Sequence, residues 1–242
     1  MQSNAIIPKK KTKGSPDFSS IERKRLRRKL ARISNRLEAE WGTPSLGNKE
    51  DPLDEVIFIM LAQRTMDASY SRVFDELKNR YPQWDNALKA SIGELEKVIR
   101  PAGLSEYKAP RLKAILSKVK KDFGVLNLDA LKGWSDDKVI DYLTSLNGTG
   151  LKSALCVMIY SLNRDVFPVD THVIRIFRRL GILKESMRHE KAQSILPKII
   201  PRGHGKKLHV NLVIHGRNVC KRMPNCDACC IRNSCDYYRM VK

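Results

Sequence analysis

Residues 146–154 read Leu-Asn-Gly-Thr-Gly-Leu-Lys-Ser-Ala and join two segments, 136–146 and 151–162, whose apolar spacing predicts helices. Gly148 and Gly150 permit backbone angles that a side chain would forbid, and they leave main-chain N–H groups uncovered where the second helix begins. These N–H groups and the positive helix end can bind a phosphate without sequence preference. The alternative is a plain tight turn between two helices, for which Gly-x-Gly is also common.

Lys152 lies in the first turn of the second predicted helix, where the helix macrodipole disfavours an ammonium group. In a partly desolvated cleft, such a lysine can lose its proton near neutral pH and act as an amine nucleophile. The alternative is that Lys152 is one more cation that binds phosphate.

Asp170 comes directly before a helix that is predicted to begin at Thr171, which is the position of an N-cap residue. The N–H donors and the dipole of that helix would also keep its carboxylate ionised. An ionised carboxylate near Lys152 could stabilise positive charge at a sugar carbon or help to activate the amine. A purely structural cap is the alternative.

Helical patterns extend along the chain. Ser19 and Glu22 form a capping-box pattern, and apolar residues then recur at helical spacing. Asp51 followed by Pro52 predicts another helix start, and the run 56–62 is apolar on all faces, which predicts a central helix. Because no segment alternates with a period of two, we predict an all-α fold. Further helices are predicted at 69–80, 84–89, 93–99, 106–123, 127–131, 171–180, 188–197 and 206–220.

The chain is strongly basic. Its 242 residues contain 46 Lys and Arg against 26 Asp and Glu, a formal net charge of +20. Because such an excess repels itself in a compact chain, a polyanionic partner is expected, nucleic acid first and an anionic membrane surface second. No apolar run approaches the ~20 residues of a membrane-spanning helix, and no signal-peptide pattern opens the sequence. Residues 1–18 are predicted to form a flexible basic tail.

Five of the six cysteines crowd into the C-terminal region. In the absence of a secretory signal, such a cluster more often binds metal than forms disulfides. Four thiolates in one short loop can hold an iron–sulfur cluster. A Cys₄ zinc site is the alternative, although zinc ribbons usually pair two C-x2-C knuckles and only one is present. The predicted ligands, spaced C-x5-C-x2-C-x5-C, are Cys220, Cys226, Cys229 and Cys235.

The ordered motifs resemble the endonuclease III family of DNA glycosylases, the helix–hairpin–helix branch that carries a [4Fe–4S] cluster. The resemblance extends from about residue 20 to 236, and Lys152 matches the family's Schiff-base lysine while Asp170 matches its catalytic aspartate. The motifs that carry it are Gly148-Thr149-Gly150 with Lys152, Val169-Asp170-Thr171-His172, and His215-Gly216-Arg217 ahead of the four cysteines.

This resemblance implies two helical domains with DNA in the cleft between them. The cluster domain would be discontinuous and comprise residues 19–46 and 164–242. A six-helix domain containing the helix–hairpin–helix motif would comprise residues 47–163.

Two further loops match the family. Residues 103–109 resemble the loop whose apolar residue wedges into the base stack, here Leu104, although a Leu folded back onto the core is the alternative. Residues 61–67 resemble the loop that fills the gap left by a flipped base. In one alignment Arg64 replaces the family's usual Gln; in another, Gln63 keeps that place beside a one-residue insertion. The first cysteine spacing is x5, whereas x6 is usual.

The resemblance implies a base-excision repair glycosylase with AP lyase activity that removes damaged pyrimidines through a lysine Schiff base. We expect these pyrimidines to be oxidised. Its partner would be double-stranded DNA containing damaged bases or abasic sites, and the chain is expected to be monomeric and not membrane-bound. The expected location is the nucleoid in a prokaryote or the nucleus in a eukaryote. Three alternatives remain: a mismatch or modified-cytosine glycosylase resembling the plant demethylating enzymes, a non-catalytic DNA-binding protein, and a zinc-stabilised RNA-binding module.

Overall fold

The computed structural model describes residues 18–65 and 69–241. All regular secondary structure in these residues is helical, which confirms the predicted all-α class. The predicted basic tail, apart from Phe18, lies outside the described residues. The α-helices are α1 (Ser20–Trp41), α2 (Pro52–Ala62), α3 (Ser69–Arg80), α4 (Trp84–Lys89), α5 (Ile92–Ile99), α6 (Ser105–Phe123), α7 (Asp136–Ser145), α8 (Leu151–Tyr160), α9 (Thr171–Arg179), α10 (His189–Ile195), α11 (Gly205–Asn218) and α12 (Asp236–Met240).

Two helix starts form as their local patterns predict. The Ser19 hydroxyl accepts a hydrogen bond from the Glu22 N–H at 3.2 Å, and the Glu22 carboxylate accepts one from the Ser19 N–H at 2.8 Å. These reciprocal bonds satisfy donors that the first turn of α1 would leave unpaired. Asp51 caps α2 in the same way through the Asp54 N–H at 2.8 Å, and Pro52 occupies the first helical position.

Two short segments differ from the predictions. The helix predicted at 127–131 is a 3₁₀ turn at Asp129–Gly133, and helix α12 was not predicted. α12 has five residues and packs against α9. So short a helix depends on tertiary contact because its own hydrogen bonds do not repay nucleation.

The apolar side chains form two separate cores. The first contains residues of α2 to α8, with Leu53 and 56–61 of α2 buried and Cys156 of α8 among them. The second joins Leu30, Ile33 and Leu37 of α1 to α9, α10 and α11. Helix α1 therefore packs on α11, although most of the sequence separates the two helices. The two cores parallel the domain division given above, which we retain as a proposal.

Helix α8 connects the two cores, since it packs on α2 and α7 in the first and contacts α11 in the second. The segment between α8 and α9 carries Asp170 back to this junction. None of the described helices is long and apolar enough to cross a membrane.

Candidate active site and cysteine-lined cavity

The hairpin between α7 and α8 requires only one of its two glycines. Gly148 has a φ of +80°, a backbone angle that strains a residue with a side chain, and a Cβ there would lie 2.7 Å from Nη1 of Arg111, whose flexible side chain would have to move. Gly150, the N-cap of α8, has a φ of −86°, and a Cβ there would meet open space. The expectation that both glycines serve a restricted backbone is therefore wrong for Gly150.

Lys152 and Asp170 line the same cavity at the junction of the two cores. This cavity has a volume of about 230 Å³, and its wall also includes Asn48, Tyr160, His209 and Arg217. The Asp170 Oδ1 accepts a hydrogen bond from the Val173 N–H at 2.8 Å. Asp170 thus caps α9 and also lines the cavity that contains Lys152.

The pKa of Lys152 is shifted in the direction opposite to the one that the helix dipole predicts. Its pKa is raised rather than lowered, because the charges of Cys156, Asp170 and Glu55 together favour the ammonium more than burial disfavours it. Burial raises the pKa of Cys156 to about 11, so this group is a neutral thiol near pH 7. The largest of the charges that raise the pKa of Lys152 is therefore absent near neutral pH, where Asp170 and a partly ionised Glu55 oppose the effect of burial on the ammonium.

Glu55 is a buried carboxyl group that the sequence patterns did not single out. It is fully buried in α2, and its oxygens accept hydrogen bonds from Asn48 Nδ2 at 2.5 Å and from the Lys49 N–H at 2.7 Å. Burial raises its pKa to about 7 despite these bonds. A signal existed, since Glu55 interrupts an otherwise apolar helix that must lie in the core.

His209 is a second buried polar residue on the cavity wall. It pairs with the Pro168 carbonyl oxygen through Nδ1 at 3.0 Å, and burial lowers its pKa to about 4. At neutral pH the ring is uncharged, so Nδ1 carries the hydrogen and donates it to Pro168. His209 therefore fixes the segment that carries Asp170 into the cavity.

The two loops expected to contact DNA lie beside the hairpin. Gln63 Nε2 donates to the Gly148 carbonyl oxygen at 2.9 Å. Arg64 and Leu104 both have left-handed backbone angles, with φ of 55° and 53°, and Leu104 is 50% exposed. Arg64, Leu104, Gly148 and Arg111 line one small cavity. Leu104 is thus not folded onto the core. Gln63 and Arg64 both line the same small cavity as Leu104, and Gln63 in addition lines the Lys152 cavity.

Lys108 joins these loops and was not predicted. Its side chain is 2% exposed, and Nζ donates to Leu61 O at 2.7 Å, Ala102 O at 2.8 Å and Thr65 Oγ1 at 2.8 Å. A left-handed backbone costs a non-glycine residue about 1–2 kcal/mol. The ammonium therefore stabilises the two strained loops by bonding both of them at once.

The four predicted cysteines line one small cavity beneath α9 and α11, and Cys230 does not. Cys220 Sγ accepts a hydrogen bond from Arg179 Nη1 at 3.1 Å, and Cys229 Sγ lies 3.4 Å from His215 Nε2. Burial raises the pKa of Cys229 to about 12 and also raises that of Cys235. In the part of the chain that the structure describes, no three His, Cys, Asp or Glu side chains converge on a point where they could hold a single metal ion.

Comparison with known proteins identifies the class. A family model described as HhH-GPD superfamily base excision DNA repair protein matches residues 57–202, more than half of the chain. This match makes the protein a helix–hairpin–helix DNA glycosylase of base excision repair. Together with the relatives described next, it shows that the chain belongs to the endonuclease III family, as the ordered motifs indicated.

Three relatives illustrate the similarity. A protein of Arabidopsis thaliana described as a candidate DNA glycosylase is 32% identical over 84% of this chain and 70% of its own length. Endonuclease III of Sulfolobus acidocaldarius is 31% identical over 79% of this chain and 85% of its own. The DNA glycosylase/AP lyase ROS1 of Arabidopsis thaliana is 32% identical over 64% of this chain, which corresponds to only 12% of ROS1.

Solved structures share the fold. A trapped covalent intermediate of endonuclease III with DNA aligns with a TM-score of 0.76 at 22% identity, covering 89% of this chain and 98% of that one. The order of helices around the hairpin is therefore that of the endonuclease III fold.

Proposed function

We propose that this glycosylase also cleaves abasic sites, with Lys152 as the nucleophile. The observation that carries the proposal is that Lys152 and Asp170 line one cavity at the start of the hairpin helix α8. Amine attack on the sugar C1′ displaces the base, which leaves with the bonding electrons and takes up a proton. The attached nitrogen then loses a proton, and the sugar C1′–O4′ bond breaks to open the ring, with O4′ taking up a proton, which gives an imine at C1′. The imine acidifies the C2′ hydrogen, and removal of that hydrogen expels the 3′ phosphate oxygen by β-elimination. Water then releases the lysine.

Lys152 must lose a proton before it attacks, because the surrounding carboxylates hold it as an ammonium. Asp170 lines the same cavity and suits this task, and its negative charge would also stabilise positive charge on the sugar. Glu55 is the second possible acceptor, since a pKa of about 7 lets it accept a proton near neutral pH.

The DNA contacts follow from the loops around the cavity. The hairpin N–H groups near Gly148 and Gly150 would bind a phosphate beside the lesion. Leu104 would enter the base stack, and Arg64 would fill the space of the extruded nucleotide while Gln63 braces the hairpin. The enzyme would then act in the nucleoid or the nucleus, wherever its DNA is kept.

Cys220, Cys226, Cys229 and Cys235 would hold a [4Fe–4S] cluster. The four cysteines line one cavity, and their spacing contains a single C-x2-C knuckle, whereas zinc ribbons usually pair two. Such a cluster takes four thiolates and would order the basic loop that begins at Lys221. Visible absorption with iron and acid-labile sulfide in the ratio of a [4Fe–4S] cluster supports this assignment; a colourless zinc protein contradicts it.

The proposed substrate is an oxidised pyrimidine in duplex DNA. A modified-cytosine or mismatched base is the second candidate, because Gly150-Leu151-Lys152-Ser153 and the later segment 167–171 resemble the plant demethylating glycosylases. Duplexes that each carry one such base, incubated with excess enzyme, separate the candidates by their single-turnover excision rates.

Borohydride trapping on a duplex with one abasic site tests the lyase. The wild-type chain should give a covalent adduct, and Lys152→Ala should give none. Lys206→Ala is a matched control, since Lys206 is an exposed lysine in the first turn of α11. If Lys152→Ala still forms the adduct, Lys152 is not the nucleophile; if the wild type forms none, the lyase proposal fails.

A further inference from the structure

A second concave site lies away from the proposed active site. It is a groove of about 670 Å³ between α1 and the segment 233–239, and none of its lining residues lines the Lys152 cavity. We call it the α1 groove. Its cationic lining residues are Arg25, Lys29, Arg32, Arg36 and Arg239.

Four of these cations form one row along α1. Arg25, Lys29, Arg32 and Arg36 are spaced by four, three and four residues, so they project from the same face of the helix. At 1.5 Å per residue the row is about 16 Å long. The groove therefore presents an extended line of positive charge rather than a single anion-binding point.

This row is unfavourable for the isolated chain. Like charges three or four residues apart on a helix repel each other, and each such pair destabilises the helix. Lys29 donates to the Leu180 carbonyl oxygen at 2.8 Å, and burial lowers its pKa. Arg25, Arg32 and Arg36 have neither an ion pair nor a side-chain hydrogen bond with any residue that the structure describes.

The carboxylates that line the groove take part in other interactions. Among the described lining residues only Glu22 and Asp236 are acidic. Glu22 accepts the capping hydrogen bonds of Ser19, and Asp236 lies 3.6 Å from Arg239. Glu22 acts electrostatically on Arg25, and Asp236 acts on Lys29, but two carboxylates against five cations leave the described lining of the groove with an excess of positive charge.

We propose that the α1 groove binds the phosphodiester backbone of DNA outside the lesion site. A regular line of arginines matches the repeated charges of a nucleic-acid strand, and arginine pairs bidentately with phosphate. The proposal rests on the proposed function only for the identity of the polyanion. It gives the enzyme a second contact with DNA, separate from the Lys152 cavity.

A triple variant, Arg25→Gln/Arg32→Gln/Arg36→Gln, tests the groove on a long undamaged duplex. The slope of log affinity against log salt should fall by about 2–3, since each phosphate contact contributes about 0.9, and affinity at 0.1 M salt should fall at least tenfold. Borohydride trapping at saturating enzyme should persist, because the groove is separate from Lys152. The trapping result distinguishes failure of the groove from failure of the lyase.

The matched control is Arg23→Gln/Lys24→Gln/Arg28→Gln, which removes three charges from α1 outside the groove lining. It should change the slope by less than half as much. If both triple variants lower the slope equally, the effect is one of net charge and the site is overturned. The proposal also fails if the groove variant binds DNA as the wild type does. If that variant instead loses binding to anionic lipid vesicles, the groove binds a membrane surface and not DNA.

Discussion

Lys108→Met tests how the two DNA-facing loops are held. Methionine keeps an unbranched apolar stem but removes the ammonium that donates to Leu61 O, Ala102 O and Thr65 Oγ1. These three acceptors belong to the loops that carry Arg64 and Leu104. The substitution therefore removes the bonds between the loops while leaving most of the buried volume filled.

The magnitude follows from the acceptors. A hydrogen bond from a charged donor contributes about 1.5–3 kcal/mol, and a buried acceptor without a donor costs about 1–3 kcal/mol. The Thr65 hydroxyl already donates to Leu61 O at 2.8 Å and reaches Ala102 O at 3.1 Å, which offsets part of the loss. Burial lowers the pKa of Lys108, so removing the ammonium also relieves a desolvation cost. We expect a net destabilisation of about 3 kcal/mol, or roughly 10 °C in Tm at this chain length.

The assay is thermal unfolding together with 2-aminopurine fluorescence from a base beside an abasic site. Lys113→Met is the control, because Lys113 lies on the same helix and donates to one carbonyl, that of Ala90, at 2.5 Å. The control should lose about 1 kcal/mol in the free energy of unfolding and keep the fluorescence change that occurs when the enzyme binds the duplex. Lys108→Met should give a smaller fluorescence change. Equal Tm values for the two variants, or an unchanged fluorescence response in Lys108→Met, would refute the reasoning.

Three further predictions follow from single positions. Gly148→Ala should destabilise the hairpin by about 1–2 kcal/mol and weaken binding to an abasic duplex, because its φ is +80°, whereas Gly150→Ala should bind normally in the same titration. Burial raises the pKa of Glu55 to about 7, so the wild type loses stability as the pH rises from 4.5 to 7. Between pH 5 and pH 8, the free energy of unfolding of Glu55→Gln should therefore rise by about 2–3 kcal/mol relative to that of the wild type. Urea unfolding measures this difference, and a difference that does not change with pH would contradict the prediction. Cys226→Ser should lose the visible absorption of the cluster, and Cys230→Ser should keep it; the reverse result would exclude the proposed ligand set.

The helices could be predicted from the sequence because their signals are local. The Ser19 capping box, the Asp51-Pro52 start and the apolar run of α2 each act within a few residues, and each forms as predicted. The cysteine spacing also identified the four residues that line one cavity and set Cys230 apart. Helix α12 escaped prediction since only its packing on α9 makes so short a helix stable.

The properties of the candidate site depend on residues far apart in the chain. Local reasoning about the helix dipole predicted a lowered pKa for Lys152, but the charge of Cys156, and after it those of Asp170 and the distant Glu55, raise that pKa. The role of Lys108 likewise depends on carbonyl groups of two loops that only the folded chain brings together.

The sequence by itself determined the all-helical class, the helix starts, the hairpin and the residue types that carry chemistry, because hydrophobic periodicity, capping and turn geometry are short-range effects. Only the tertiary structure decided that Lys152 and Asp170 share a cavity, that Gly148 rather than Gly150 is sterically required, and that four basic residues of α1 line a groove. Burial and Coulomb interactions depend on distances through space, and those distances are set by the packing of helices around the two cores.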